Sequence, residues 1–318
     1  MPKPEQRDEN MTSPIFIGGL DNSGKTHLRL ALSSHPEIAM TRRSYMWTRA
    51  YNRFGDLRQP ENFERCLKAL LNRKDVRTLQ PDPERIRREF QLGELTYGRL
   101  FALLHEHYAE RLGKSRWGEQ EAGIEQYADE VFAAYPYAKI VHMLRDPRNR
   151  YEEMLRTTPP KVRLGRVGVN TADWLQSARI AQRNQQRYPD NYRVLAYESL
   201  ITQPEDTLRQ VCAFVGVDYV PAMLTLEGAI GFGEKNTSGT SSELETGIVE
   251  FRLDGSRAVS PREVAFMQTF ARKEMAERGY REAEVRFSAS ETLLYYGLDW
   301  PLGLMRVVMQ RVRPNHAN

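Results

Sequence analysis

Apolar residues fall along this chain in two rhythms. Short unbroken runs, Ile15 to Gly18, Lys139 to Leu144 and Tyr192 to Tyr197, read as strands buried on both faces. Elsewhere apolar positions recur at helical spacing. Ile124, Tyr127, Ala128, Val131, Phe132 and Tyr135 share one face, and Leu208, Val211, Cys212 and Val215 share another. Punctuation marks the boundaries. Lys25 to Ser33 predicts a helix stopped by His35-Pro36, and Pro204 opens a helix that Gly216 closes. Ser260-Pro261-Arg262-Glu263 has the capping-box form, with Gly279 near the end of its helix. A charged loop from Thr157 to Val169 precedes a helix capped by Thr171. From Arg42 to about Lys114 the pattern is helical and rich in arginine and glutamate. Strands alternating with helices predict an α/β fold with a parallel sheet.

One strand-to-helix junction carries chemistry. Gly19-x-x-x-x-Gly24-Lys25-Thr26 fits the phosphate-loop spacing. Glycines allow a tight turn whose N–H groups aim at one point, and the following helix adds the positive end of its dipole. A phosphate or sulfate suits such a point, with the Lys25 ammonium as a point charge beside it. The sheet is therefore expected to be P-loop-like, flanked by helices, with residues 42–114 as a helical insertion over the site. A second cluster, Arg145-Asp146-Pro147-Arg148-Asn149-Arg150, lies at the carboxyl end of the strand from Lys139. Ligands of open α/β sheets sit at that end, and an arginine fork there suits a second phosphate.

Composition narrows the partners. The 318 residues carry a net charge of +4, with 28% charged and 40% hydrophobic residues, so the chain is globular. Its mild basicity fits an anionic ligand. No zinc-finger spacing or aromatic RNA-binding motif argues for nucleic acid. Cys66 and Cys212 read as separate buried thiols. The polar start of the chain and the lack of a membrane-length apolar run favour a reducing cytoplasm. Residues 1–12 read as a mobile tail, 13–285 as the main domain and 286–318 as an amphipathic, basic extension. Gly228 to Gly247 reads as a mobile loop.

The chain resembles the sulfotransferase family, which uses 3′-phosphoadenosine 5′-phosphosulfate. Four stretches carry the resemblance: Ile15 to Pro36; Tyr135 to Arg148; Tyr188 to Gly216; and Phe251-Arg252-Leu253 through Ser260-Pro261 to Tyr280. The resemblance implies that the loop from Asn22 to Thr26 cradles the 5′-phosphosulfate, and that Lys25 neutralises the departing phosphate. Arg145 would hold the 3′-phosphate, and no metal is expected. The family's serine eight residues beyond that arginine falls on Glu153. A family pattern of tryptophan, small residue, acid, lysine, threonine and proline appears as Trp117-Gly118-Glu119-Gln120-Glu121-Ala122, with Gln120 in the lysine position. Glu119 is the candidate acid/base group. His142 and His27 read as packing residues.

The acceptor implied is a small molecule, carbohydrate or lipid. Arg42 and Arg43 suit an anionic one, with a pocket drawn from the insertion and the basic loop at Lys161, Arg163 and Arg166. The segment from Leu293 to Arg313 mixes large apolar residues with arginines, which suits peripheral membrane contact or a homodimer. Two other readings stand beside sulfuryl transfer. One is a non-catalytic sulfonucleotide-binding scaffold. The other is a nucleoside-triphosphate-dependent kinase, with Thr26 and Asp146 on Mg²⁺.

Overall fold

The structure is a computed structural model that describes residues 13–158, 165–226 and 259–312. The expected tail 1–12, the loop from Gly228 to Gly247, Lys161, Arg163 and the stretch from Phe251 lie outside the described residues.

Five strands form one sheet: β1 (Ile15–Gly18), β2 (Ile38–Arg42), β3 (Arg116–Gln120), β4 (Lys139–Leu144) and β5 (Tyr192–Ala196). Their order is β2-β3-β1-β4-β5, and every pairing is parallel. The register sets Ile17 beside Gln120 on one side and beside Val141 on the other. All carboxyl ends therefore meet at one edge, where the β1 loop begins.

Helices cover both faces, because the strands bury alternate residues to each side. On one face Phe16, Ala39, Trp117 and Ile140 meet the insertion. Its main helices are α2 (Met46–Arg49), α3 (Pro60–Leu71), α4 (Pro83–Phe90) and α5 (Tyr97–Arg111), followed by α6 (Ala128–Ala134); α1 (Lys25–Ser33) belongs to the opposite layer. On that opposite face Ile15, Ile17, Met40, Val141 and Met143 pack with Leu28 and Leu32 of α1. The insertion is thus a covering layer of the sheet as well as a wall above its edge.

Two strands depart from the sequence expectation, which placed none at β2 or β3. Both are short, and β3 is mostly polar. It is nevertheless wholly buried, with Arg116 and Glu119 at 0% exposure. Arg116 is tolerated because its guanidinium donates to the carbonyls of Ser13 and Val215. Burial still pushes its pKa down to about 10. Apolar runs are the cue for buried strands, so a strand whose charges are satisfied internally escapes that cue.

After β4 come α7 (Pro147–Thr157) and α8 (Arg166–Arg187); α9 (Tyr197–Thr202) and α10 (Pro204–Val215) follow β5. The loop expected to reach Val169 is shorter, since α8 starts at Arg166 after Gly165 in the left-handed region at φ 71°. Thr171 is not a cap: it is buried inside α8, where its hydroxyl donates to the Val167 carbonyl at 2.7 Å. Gly216 does end α10 in the left-handed region. Both bonds of the Ser260–Glu263 capping box form at the start of α11 (Pro261–Ala276). Cys66 and Cys212 are free and buried. The extension holds α12 (Ala289–Leu294), one π-turn (Tyr295–Asp299) and α13 (Trp300–Val312). Among the described residues no helix is long and apolar enough to cross a membrane.

Candidate functional site

The loop after β1 turns on two glycines. Gly19 has φ 106°, and a Cβ there would lie 2.3 Å from the Met143 carbonyl oxygen. Gly24 has φ 84°, and a Cβ there would lie 2.0 Å from the Tyr197 ring. Only glycine permits both approaches. The amide N–H groups of Ser23, Gly24, Lys25 and Thr26 find no acceptor among the described residues. Four such donors at a helix start form an anion cradle.

Cations surround this cradle. The Lys25 ammonium is 3% exposed and turns back into the loop, donating to the carbonyls of Gly19 at 2.6 Å and Leu20 at 2.5 Å. Asp21 lies 3.4 Å from it. Burial pulls the Lys25 pKa down to about 8, against the pull of Asp21 and Glu125. Desolvation raises the pKa of Asp21, but Lys25 and Arg43 outweigh it and hold the carboxyl below its ordinary range. Arg43 reaches the same carboxylate at 3.1 Å. Arg145 at the end of β4 donates to the Asn22 carbonyl at 3.2 Å, and its guanidinium sits 4.7 Å above the Tyr197 ring. Arg150, on the first turns of α7, donates to the Asp21 carbonyl at 2.9 Å. Lys25, Arg145 and Arg150 therefore all hold the backbone of one loop.

The residues expected to bind come together here. Asn22 is left-handed at φ 65°, Ser23 is buried and Thr26 is half-buried. Arg43 and Tyr45 are left-handed as well, at φ 43° and 55°. Such conformations cost roughly 1–3 kcal/mol each and cluster at functional sites. Arg43 faces the loop through Asp21. Glu153 pairs with Arg156 at 3.2 Å on α7. Gln120 accepts from Arg29 of α1 at 3.2 Å, so a cation stands beside the position where the family pattern has lysine. His142 is a core residue: it is 0% exposed, bonded to Tyr192 and Ser177, and held by burial at about 4. His27 is buried beside Tyr197.

The β3 side of the same edge is acidic. Glu119 shares a face with Trp117 and is 0% exposed, not a solvated surface group. Its Oε1 accepts from the Ser44 amide at 2.6 Å, and its Oε2 lies 3.5 Å from His105 Nε2. Two residues on, Glu121 is also 0% exposed and accepts from the Thr48 amide at 2.9 Å. Burial, and then the Glu119 charge, push the Glu121 pKa well above the ordinary carboxylate range. One oxygen of each carboxylate, with Ser44 Oγ and Thr48 Oγ1, lacks a hydrogen-bond partner among the described residues. Glu125 completes the group, its Oε2 accepting from the Gly19 amide at 3.0 Å. Glu121 and Glu125 were not singled out from the sequence. Had β3 been read as a strand, its period of two would have put Glu119 and Glu121 on one face.

Beyond Arg145 the edge opens into a cavity of about 380 Å³ lined by Asp146, Arg148, Glu198, Arg278 and Tyr280 among others. Asp146 is fully engaged there: it caps α7 and takes Arg148 through both oxygens, at 2.9 and 2.6 Å. Glu198 accepts from the Asp146 amide at 2.8 Å, and burial lifts its pKa to about 7.

A family model described as "Sulfotransferase family" matches residues 14–221. The sulfotransferase domain of the Synechococcus PCC 7002 olefin synthase is similar in structure. It is 18% identical, the match covers 85% of this chain and 96% of that one, and the TM-score is 0.51. The sulfotransferase domain of the curacin biosynthetic pathway is 16% identical over 85% of this chain and 98% of that one, with a TM-score of 0.49. A sulfotransferase from Alicyclobacillus acidocaldarius is 19% identical over 84% and 96%, with a TM-score of 0.44. At 18% identity the likeness to the olefin synthase domain speaks for the fold alone. No curated protein matches the chain.

Proposed function

Because the chain belongs to the sulfotransferase family, we propose that it moves a sulfuryl group from 3′-phosphoadenosine 5′-phosphosulfate to a hydroxyl or amine of a small-molecule, carbohydrate or lipid acceptor. The observation that carries this reading is the open amide cradle at Ser23 to Thr26, with Lys25, Arg145 and Arg150 gathered on its loop. A dianionic phosphosulfate fits amides that lack acceptors. Lys25 would offset charge building on the leaving phosphate oxygen, and Arg145 would hold the 3′-phosphate. The cavity past Asp146 has room for the nucleoside end.

The transfer is an in-line displacement. An acceptor oxygen or nitrogen bonds to sulfur as the bond from sulfur to the phosphate oxygen breaks and its electron pair leaves with the phosphate. The acceptor's proton needs a base. We assign that role to the Glu119–Glu121 pair, with Glu121 as the proton-accepting member. Its Oε2 finds no hydrogen-bond partner among the described residues, and burial beside the Glu119 charge favours its taking up a proton. Both carboxylates lack exposed surface, and the Ser44 and Thr48 amides donate to one oxygen of each. Arg43 and Arg42 stand just before Ser44 and favour an anionic acceptor.

The kinase reading loses its metal ligand, since Asp146 is bound through both oxygens by Arg148. The scaffold reading draws on Gln120 and Glu153, which depart from the family pattern, and on a Lys25 already turned inward. A turnover assay with labelled donor and an acceptor panel separates the cases. Label transferred without added Mg²⁺ supports the proposal. Bisphosphate binding with no transfer to any acceptor supports the scaffold.

A further inference from the structure

A buried acceptor left without a donor is costly, and two that face each other are costlier still. α5 and β3 create that situation beside the carboxylate pair. The strand's period of two puts Trp117 and Glu119 on one face. His105 of α5 stacks on the Trp117 ring, with centroids 4.6 Å apart and planes 16° from parallel. Its Nδ1 lies 2.9 Å from the Phe101 carbonyl oxygen one turn earlier. A carbonyl only accepts, so Nδ1 is the nitrogen that donates. Nε2 of the neutral ring is then an acceptor, and it lies 3.5 Å from Glu119 Oε2. Neither atom has a hydrogen-bond partner among the described residues, and His105 is 1% and Glu119 0% exposed. Two lone pairs thus face one another in the core, and a single proton between them satisfies both.

That proton bears on Glu121. Burial, and then the Glu119 charge, favour the protonated form of Glu121, while Arg73 in the turn after α3 favours the ionised form. Tyr127 and Tyr135 also face the pair; burial first of all keeps both phenols neutral, and they feel the charges of Glu121 and Glu119 respectively among others. A proton held at His105 cancels the Glu119 charge and leaves Glu121 ionised. We propose that His105 is a positioning residue for the carboxylate pair: one proton shared between its Nε2 and Glu119 Oε2 neutralises Glu119 and keeps Glu121 open to the acceptor's proton. During transfer the acceptor's proton passes to Glu121 Oε2, and the shared proton stays where it is. This deepens the carboxylate-base reading above and rests on it.

The test is a carbon-13 NMR titration of the Glu119 and Glu121 carboxyl carbons in the full chain, with nitrogen-15-labelled histidine read in the same sample. In the parent the His105 ring is expected to carry a proton on Nδ1 throughout. The His105→Gln variant has an amide that can donate to Glu119 but brings no titrating proton. In it the carboxylate pair is expected to take up a proton about one pH unit higher or more, because an uncancelled like charge then stands beside Glu121. The acid limb of the pH–rate profile should move by the same amount, with turnover recovering as pH rises. A parent ring protonated on Nε2 alone overturns the proposal, as does a variant whose carboxyl titration stays where it was. A turnover loss equal at every pH also overturns it, since lost packing on Trp117 would give that result. The carbon titration needs no substrate, so the two readings fail separately. Glu121→Gln with parental turnover would overturn the base reading and with it the role of His105 in transfer, while a shifted titration in His105→Gln would still place the shared proton.

Discussion

At the carboxyl edge of one sheet, the β1–β4 side and the β3 side are built from opposite charges. Around the β1 loop, Lys25, Arg145 and Arg150 hold a turn whose amides from Ser23 to Thr26 find no acceptor among the described residues. Some residues away along the same edge, Glu119, Glu121 and Glu125 are buried together, and one carboxylate oxygen on each of the first two has no partner among the described residues. Buried charges of one sign are costly, and a fold keeps them only where geometry or function compensates. Glu125 links the halves, since its carboxylate accepts from the Gly19 amide at the start of the loop. The contrast suggests a division of labour, with anionic groups of a donor on one side and a proton acceptor on the other.

Removing the acid from one side should leave the other intact. Glu121→Gln is expected to lower turnover by about 10²–10⁴-fold while bisphosphate affinity stays unchanged. The acid limb of the pH–rate profile should vanish with it. If Glu119→Gln produces that loss and Glu121→Gln does not, the base moves to Glu119. The converse cut is Lys25→Met, expected to reduce turnover by roughly 10²–10³-fold and to weaken bisphosphate binding measured by calorimetry. A turnover loss with no binding loss would confine Lys25 to the transition state. Arg145→Ala is expected to weaken the bisphosphate about 10- to 100-fold, the scale of one charged hydrogen bond. The same variant should not alter the pH limb set by the carboxylates.

The mildest probe is pH. Burial sets the Lys25 pKa at about 8, so its charge fades as pH rises through that value. A bound anion favours the charged form and shifts the transition upward. Bisphosphate affinity should therefore be full at pH 7 and fall at or above about pH 8, by less than about tenfold per pH unit. Lys25→Met should flatten that dependence.

How much of this was legible in the residues differs between the two sides. The loop side announces itself through glycine spacing and a Lys-Thr pair, since backbone geometry there admits few alternatives. Arg145 followed from its place after an apolar strand. The acid side hid because Arg116-Trp117-Gly118-Glu119-Gln120 looks like surface, yet every member is buried. Its solvent is replaced by internal partners: Ser13 and Val215 for Arg116, Ser44 for Glu119, and Arg29 for Gln120. Those partners lie between 75 and 103 residues away along the chain, with His105 nearer, so no local pattern records them. The start of α8 was misread for a related reason. Gly165 begins the helix by conformation alone, with no side-chain cap, so Thr171 looked like the first available signal.

The most direct test of the central claim is a calorimetric titration of adenosine 3′,5′-bisphosphate into the parent, Lys25→Met and Arg145→Ala. The account predicts one site per chain in the parent, weakened about tenfold or more in each variant. A parent that does not bind, or variants that bind as the parent does, would contradict it.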